Sequence, residues 1–426
     1  MSFSVAAFTL GCKVNQYDTE AILQDFTALG FSIRNFEDAA DVYIINTCTV
    51  TNVSDKKSRQ MINRACKRNP NALIVAYGCY VQVKPEAFED IPGVSMALGT
   101  ADKHRVAEMV YTKLAGSRGS VPLQGVGAAP QGLKRTRAYL KIQDGCDRFC
   151  SYCIVPYARG SVKSRTILDL MAEAEGLVLS GCKEIVLTGI QIVAYGNDLD
   201  NTDNLVTLMQ CIHDISGLER LRLGSLEPNV IDEDFLKAAS KLPKLCDHFH
   251  LSLQSGCNRT LERMNRRYTA DQYARAAADI RSYFPQAALT TDIIVGFPGE
   301  SDEDFAESLA FAQQINFFRV HVFAYSPRAG TPAADFPDQV DQKTKESRSR
   351  TLRKAAEKMN QDFYRGFIGQ VLPVLFESEM DGVWEGHTSQ YLTVRVADDK
   401  NLGNQMMPVM LQAAEAGAAR GALVQL

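Results

Sequence analysis

Three apolar runs near the start of the chain each end at a cysteine: AAFTL before Gly11-Cys12, DVYIIN before Thr47-Cys48 and ALIVAY before Gly78-Cys79. The cysteines are 36 and then 31 residues apart, each about the length of one strand plus one helix. Between the first two, YDTEAILQDFTALG sets Ile22, Phe26 and Leu29 at helical spacing and stops at Gly30. Strands joined through helices lie parallel, and residues just past their carboxyl ends gather along one edge of an open α/β sheet. The pattern therefore predicts that Cys12, Cys48 and Cys79 meet in space. Taken singly, each would read as a small buried hydrophobe at a strand end.

At 426 residues the chain exceeds what one hydrophobic core usually serves, so two or three domains are expected. The stretch AGSRGSVPLQGVGAAPQG breaks the periodicity and reads as a linker. Six further strand patterns follow with helical segments between them: AYLKIQ, EIVLTG, RLRLGS, HFHLSL, LTTDIIVGF and FFRVHVFAY. Six such units make a partial barrel with its site at the carboxyl ends of the strands. After the charged helical segment DQKTKESRSRTLRKAAEKMNQDFYRG, the pattern turns to QVLPVLFE, YLTVRV and QMMPVMLQ, which suit a small antiparallel β-barrel. The expected organisation is an N-terminal open parallel α/β domain over 1–115, a linker over 116–133, a partial (βα)6 barrel over 134–365 and a β-barrel over 366–426.

Eleven cysteines without an export signal point to metal ligation or redox chemistry in a reducing cytoplasm. No apolar run approaches the roughly 20 residues of a membrane span. A net charge of -4 argues against indiscriminate coating of nucleic acid, so any nucleic-acid site is a local patch. Four basic runs offer one: Lys56 to Arg68, Lys134 to Arg137, Arg259 to Arg267 and the late charged helix, with Trp384 and Tyr391 as candidate stacking rings.

CDRFCSYC carries the most specific chemistry. Cys146, Cys150 and Cys153 are spaced to ligate three irons of a four-iron cluster, leaving one iron open. Zinc is the competing ligand, but it takes four donors and no second C-x-x-C or C-x-x-H lies nearby. With GCKVNQYDTE, NTCTVT, YGCY and LKIQDGCDRFCSYCIVPYARG, the chain resembles the radical S-adenosylmethionine methylthiotransferases along essentially its whole length, the wording GCKVNQ being closer to the type acting on N6-threonylcarbamoyladenosine in tRNA.

The resemblance implies two 4Fe-4S clusters. One, on Cys146, Cys150 and Cys153, binds S-adenosylmethionine at its open iron and cleaves it to a 5′-deoxyadenosyl radical; the other, on Cys12, Cys48 and Cys79, carries the sulfur to be methylated and inserted. It further implies a TRAM domain at the carboxyl end, the tRNA anticodon stem-loop as substrate, a reductase, ferredoxin or flavodoxin as electron donor, a separate sulfur donor and a monomer. Tyr152, Gly189, Gln191, Ser225, Glu227, Gln254 and Gly296 stand where that family places cofactor contacts, although Thr188-Gly189-Ile190-Gln191 departs from its plain Gly-Gly-Glu.

Hydroxyl, carboxylate and amide groups at those strand ends suit ribose hydroxyls and an adenine edge, and Ser255 belongs with them; ordinary loop capping is the plainer reading. Arg159 and Arg165 are candidates to meet a carboxylate or phosphate of the substrate. Cys66, Cys182, Cys211, Cys246 and Cys257 read as packing. His248 and His250 alternate on one strand, the spacing at which two imidazoles share a face; such a pair is more often core or surface than metal site. Two other classes stay open: an electron-transfer protein, which would normally have four cysteines per cluster, and a non-catalytic RNA-binding protein. Isopentenyladenosine in tRNA and a ribosomal protein are the alternative substrates within the family.

Overall fold

The computed structural model describes residues 3–50, 52–89, 91–115, 136–200 and 202–424; the linker expected at 116–133 lies outside them. The chain divides into two compact units, one built from Met1–Gly132, Asp144–Val162 and Ser326–Ala334, the other from Leu133–Gln143, Lys163–Tyr325 and Asp335–Leu426.

The first unit opens with β1 (Ser4–Thr9), α1 (Lys13–Ala28), β2 (Ser32–Arg34), β3 (Val42–Thr47), α2 (Asn52–Arg68), β4 (Leu73–Gly78), α3 (Cys79–Val83), α4 (Glu86–Glu89), β5 (Val94–Leu98) and α5 (Val106–Ala115). Its five strands are parallel in the order β2-β1-β3-β4-β5. Every residue of β3 and β4 is buried, as a parallel sheet covered on both faces requires. Val42, Ile44 and Val75 pack with Ile22 and Phe26 of α1 on one face. Tyr43, Ile45 and Ile74 pack with Met61 and Ile62 of α2 on the other. The strand order reverses between β1 and β3, the crevice where open α/β sheets bind ligands. Cys12 follows β1 and Cys48 follows β3. Three elements depart from the expectation: α1 begins right after Cys12, and β2 and β5 extend the sheet. The segment Asp144–Val162 adds the short α6 (Val155–Arg159) to this unit.

The second unit contains β6 (Arg137–Lys141), and the short strands β7 (Gln143–Asp144) and β8 (Lys163–Ser164) bracket the cysteine loop in sequence. Then come α7 (Ile167–Leu179), β9 (Glu184–Thr188), α8 (Leu205–His213), β10 (Arg220–Leu223), β11 (Ser225–Leu226), α9 (Glu233–Ala239), β12 (His248–Leu251), α10 (Asn258–Arg263), α11 (Ala270–Tyr283), β13 (Ala288–Val295), α12 (Asp302–Ile315), β14 (Arg319–Ala324) and α13 (Gln342–Arg365). The strands form two parallel sheets, β10-β9-β6 and β11-β12-β13-β14, and only Gly224 separates β10 from β11. This gives the six strand positions expected for the partial barrel. Phe249, Leu251, Leu289, Ile293 and Val320 belong to the main apolar core, so the alternate residues His248, His250, Thr290, Asp292 and His321 occupy the opposite face of the strands. Asp341 caps α13 by accepting from the Thr344 amide, a contact worth about 1 kcal/mol.

The chain ends in a closed barrel of β15 (Val371–Met380), β16 (Val383–His387), β17 (Thr393–Ala397), β18 (Met406–Glu415) and β19 (Ala418–Leu423). The sequence marks β15, β17 and β18 but not β16 or β19. All pairings are antiparallel except β17 with β19.

Ion pairs join this barrel to the amino ends of the parallel strands. Glu184 takes Arg222 at 2.7 Å and Arg137 at 2.8 Å, and Arg137 reaches Glu377 at 2.7 Å. Arg220 donates to the carbonyls of Pro373 (2.7 Å) and His387 (2.6 Å), and Arg222 to that of Ser389 (2.9 Å). The Tyr391 ring stacks on His387 (4.8 Å between centroids), with the Arg222 and Arg137 guanidinium carbons 4.6 and 4.9 Å from its centre. Tyr391 is therefore committed inside this contact and is no platform for RNA bases, and Arg137 leaves the expected basic run for an internal ion pair. Trp384 is half-buried against the barrel core.

Candidate metal and cofactor centres

Asn15, in the first turn of α1, ties the three cysteine-bearing strand ends together. Its Nδ2 donates to the carbonyls of Leu10 (2.7 Å) and Thr47 (3.2 Å). Its Oδ1 lies 3.8 Å from Cys12 Sγ and 3.9 Å from Cys79 Sγ. Gly11, at φ +99°, brings the backbone so close to Cys48 that a Cβ there would stand 2.8 Å from its Sγ. The structure thus brings Cys12, Cys48 and Cys79 together. Burial pushes the Cys48 thiol up, with repulsion from Cys12 adding to it. Burial likewise pushes Cys79 up to about 11; Arg159 opposes the rise, while Cys12 and Cys48 reinforce it. Two buried thiols that resist becoming thiolates, with a third beside them, need a cation to ionise together. As a donor set they fit three irons of a cluster.

Arg159 supplies one fixed positive charge beside them. Its guanidinium donates to Asn15 Oδ1 (2.6 Å), Asp18 (3.2 Å) and Asp144 (2.8 Å), and its side chain is 3 % exposed. Burial alone would lower its pKa, but Cys79, Asp144, Asp18 and Cys12 hold it well above the ordinary value. The carboxylates that Arg159 meets are therefore the protein's own, which corrects its reading as a substrate clamp.

The loop before Arg159 carries the second triad. Cys146 N donates to Gly160 O (3.0 Å) and closes the loop, Cys153 N donates to Cys150 O (2.9 Å), and Arg148 N lies 3.4 Å from Cys146 Sγ. Gly145, at φ +72°, admits no side chain, since a Cβ would come within 1.9 Å of Ser161 O. Cys150 is buried, Cys146 and Cys153 are half-buried, and so is Tyr152. Closely spaced thiols on a loop shaped this way fit three irons as well. Two anchors escaped the sequence reading: Arg328, which donates to Thr49 (2.9 Å) and pairs with Asp55 (2.8 Å), and Asn15 itself. A polar residue three positions after Cys12 was the available signal for Asn15.

In the second unit the remaining candidates lie at or just past the carboxyl ends of β9, β11, β12 and β13. A Cβ on Gly189 would crowd Ile192 Cγ2 (2.9 Å) and Gln143 O (3.0 Å), and the backbone N–H of the buried Gln191 donates to Gln143 Oε1 at 2.9 Å. Ser225 is exposed, and Glu227 lies 3.6 Å from Arg266. Gln254 holds φ +68° and bridges β13 through Asp292 O (2.8 Å) and Ile294 N (2.9 Å). Ser255 accepts from the Cys257 amide at 3.2 Å. Gly296, at φ +70°, packs on Lys345 and donates to Glu300. Arg165 pairs with Glu173 at 2.7 Å and keeps about a third of its side chain exposed. Cys182, Cys246 and Cys257 are buried, matching the packing role expected of them.

Residues 140–312 match the Radical SAM superfamily, and residues 4–99 match the uncharacterized protein family UPF0004. The threonylcarbamoyladenosine tRNA methylthiotransferase MtaB of Bacillus subtilis is 39% identical over 92% of this chain and 90% of its own length. A tRNA-2-methylthio-N(6)-dimethylallyladenosine synthase of Pelotomaculum thermopropionicum is 33% identical over 97% of this chain and 96% of its own. Among solved structures, the radical S-adenosylmethionine methyltransferase TsrM of Kitasatospora setae superposes with a TM-score of 0.58 over 78% of this chain and 77% of its own, at 16% identity, which speaks to the fold. By sequence along nearly its full length, the chain belongs to the radical S-adenosylmethionine methylthiotransferase family.

Proposed function

We propose that this chain replaces the C2 hydrogen of N6-threonylcarbamoyladenosine, at position 37 of tRNA, by a methylthio group, using S-adenosylmethionine and two 4Fe-4S clusters. The observation that carries the two-cluster reading is the meeting of Cys12, Cys48 and Cys79 around Asn15, in the same compact unit as Cys146, Cys150 and Cys153. The substrate assignment is supported by the name of the Bacillus subtilis relative. A purine C2 hydrogen offers neither a leaving group nor an acidic proton, so acid–base and nucleophilic catalysis have nothing to act on. Cys146, Cys150 and Cys153 would hold a 4Fe-4S cluster, whose chemistry, when bound, would be one-electron reductive cleavage of S-adenosylmethionine.

The protein's own groups hold and orient. Cys12, Cys48 and Cys79 hold the second cluster, and Arg159 fixes the first turn of α1 against the loop of the other triad and balances thiolate charge. Tyr152, Gly189, Gln191, Ser225, Glu227, Gln254 and Gly296 bind the cofactor, and Arg165 is retained as the substrate contact. The C-terminal barrel, a TRAM domain, grips the anticodon stem-loop. Residues 1–115, 134–365 and 366–426 act as three modules of a monomer working in the cytoplasm, where a reductase, ferredoxin or flavodoxin delivers electrons and another protein delivers sulfur. Mass spectrometry of tRNA nucleosides from cells with and without the gene tests the substrate. Loss of 2-methylthio-N6-threonylcarbamoyladenosine alone is the expected result. Its persistence with loss of the isopentenyladenosine product shifts the assignment to the alternative tRNA substrate.

A further inference from the structure

His250, Asp292 and His321 stand side by side on β12, β13 and β14. Their candidate ligand atoms all lie within 4.8 Å of one another. The register puts Asp292 opposite His321, and the imidazoles of His250 and His321 are 5.9 Å apart between centroids. All three occupy the face of the strands turned away from the helix-packed core, and His321 is exposed on it. No role in the proposed reaction uses them.

The geometry around His250 is that of an oriented metal ligand. Its Nδ1 lies 3.0 Å from Thr290 Oγ1 and its Nε2 lies 3.3 Å from Asp292 Oδ2. Thr290 Oγ1 is also 3.2 Å from His248 Nε2, and one hydroxyl has one proton to give. When that proton goes to His248, His250 must donate from Nδ1, and its Nε2 lone pair then faces a carboxylate oxygen. Two acceptors so placed repel unless a cation sits between them. The separation agrees: bonds of about 2.0–2.2 Å at tetrahedral angles set ligand atoms about 3.3–3.5 Å apart, whereas a charge-assisted hydrogen bond is about 2.7–2.9 Å. A hydroxyl that fixes the far ring nitrogen is the outer-shell partner such ligands have.

We propose that His250, Asp292 and His321 form a binding site for a divalent transition-metal ion, built without any residue of either cysteine triad. Two imidazoles and one carboxylate suit Zn²⁺ or Fe²⁺ and leave coordination positions open to water or another oxygen donor. The competing reading is a plain His250–Asp292 ion pair with His321 as a bystander.

The test uses full-length protein with its clusters loaded anaerobically, equilibrated with Zn²⁺, desalted, and assayed for zinc and iron in the same sample. The wild type is expected to hold about one more Zn²⁺ per chain than a His250→Gln/His321→Asn variant, at equal iron, with nitrogen and oxygen neighbours at about 2.0–2.2 Å by zinc-edge absorption. Thr290→Val should weaken zinc binding about 10- to 100-fold while keeping the site. Because His321 is exposed, His321→Asn alone serves if the double variant fails to fold, and it should also lose the zinc. Equal zinc in wild type and variant, or a zinc shell containing sulfur at about 2.3 Å, overturns the proposal.

Discussion

At the scale of single residues, Gly11 and Arg159 bear most directly on the N-terminal cysteines. Gly11→Ala places a Cβ against Cys48 at a left-handed φ, a strain of about 1–3 kcal/mol located at the thiol itself. Reconstituted Gly11→Ala should therefore lose iron toward half the wild-type content, measured per chain. Arg159→Ala removes the partner of two carboxylates, of which Asp18 is nearly fully buried. Leaving a buried charge unpaired costs about 3–5 kcal/mol, so its urea midpoint should fall sharply. Arg159→Lys keeps the charge but loses the planar fork that reaches Asn15, Asp18 and Asp144 at once, and should recover only part of the stability. That the cysteines converge was legible from their spacing. That Arg159 turns inward was not, since nothing local in PYARG distinguishes a guanidinium that meets substrate from one that meets Asp18.

Among elements, β9 and the C-terminal barrel are joined through Glu184. Burial would raise the pKa of this carboxyl, but Arg222 and Arg137 outweigh it and bring it down from 4.5 to about 2. A depressed folded-state pKa contributes stability that is complete above 4.5 and is lost as pH falls toward 2. Wild-type urea midpoints should fall steeply over that window. Glu184→Gln should be less stable at neutral pH and flatter in acid; an unchanged acid slope would count against the ion pair. The same contact means that deleting everything after Arg365 removes the barrel carbonyls that accept from the buried Arg220 and Arg222, leaving Glu184 alone to meet them, so truncation should lower stability and confound any reading of RNA binding. A gentler probe lies on the barrel surface, where the exposed Arg395 and Arg420 pair in register on β17 and β19. Replacing both by Ala should weaken tRNA binding and flatten its dependence on log salt by about one to two units, read by filter binding across a salt series. The long periodic strands and α13 were readable in the sequence. β2, three residues at a sheet edge, and β16 and β19, whose apolar pattern is broken by Gly386 and Gly421, form only because neighbours supply their hydrogen bonds.

For the molecule as a whole, the two cysteine triads should be unequal. Replacing Cys146, Cys150 and Cys153 by Ala should abolish reductive formation of 5′-deoxyadenosine. Replacing Cys12, Cys48 and Cys79 should leave that cleavage and abolish methylthio transfer, with each variant keeping about half the iron. Anaerobic reconstitution followed by iron analysis and product chromatography decides the matter; 5′-deoxyadenosine from the first variant sinks the division of labour. The order in which the chain visits its two units has a further consequence. Twice it leaves the second unit, at Asp144 and at Ser326, to complete the first, and twice it returns. No single crossover in a gene could exchange one unit for a relative's version without also splitting the other. Once joined in this way, the part bearing both cysteine triads and the part bearing the parallel strands of the partial barrel are inherited together.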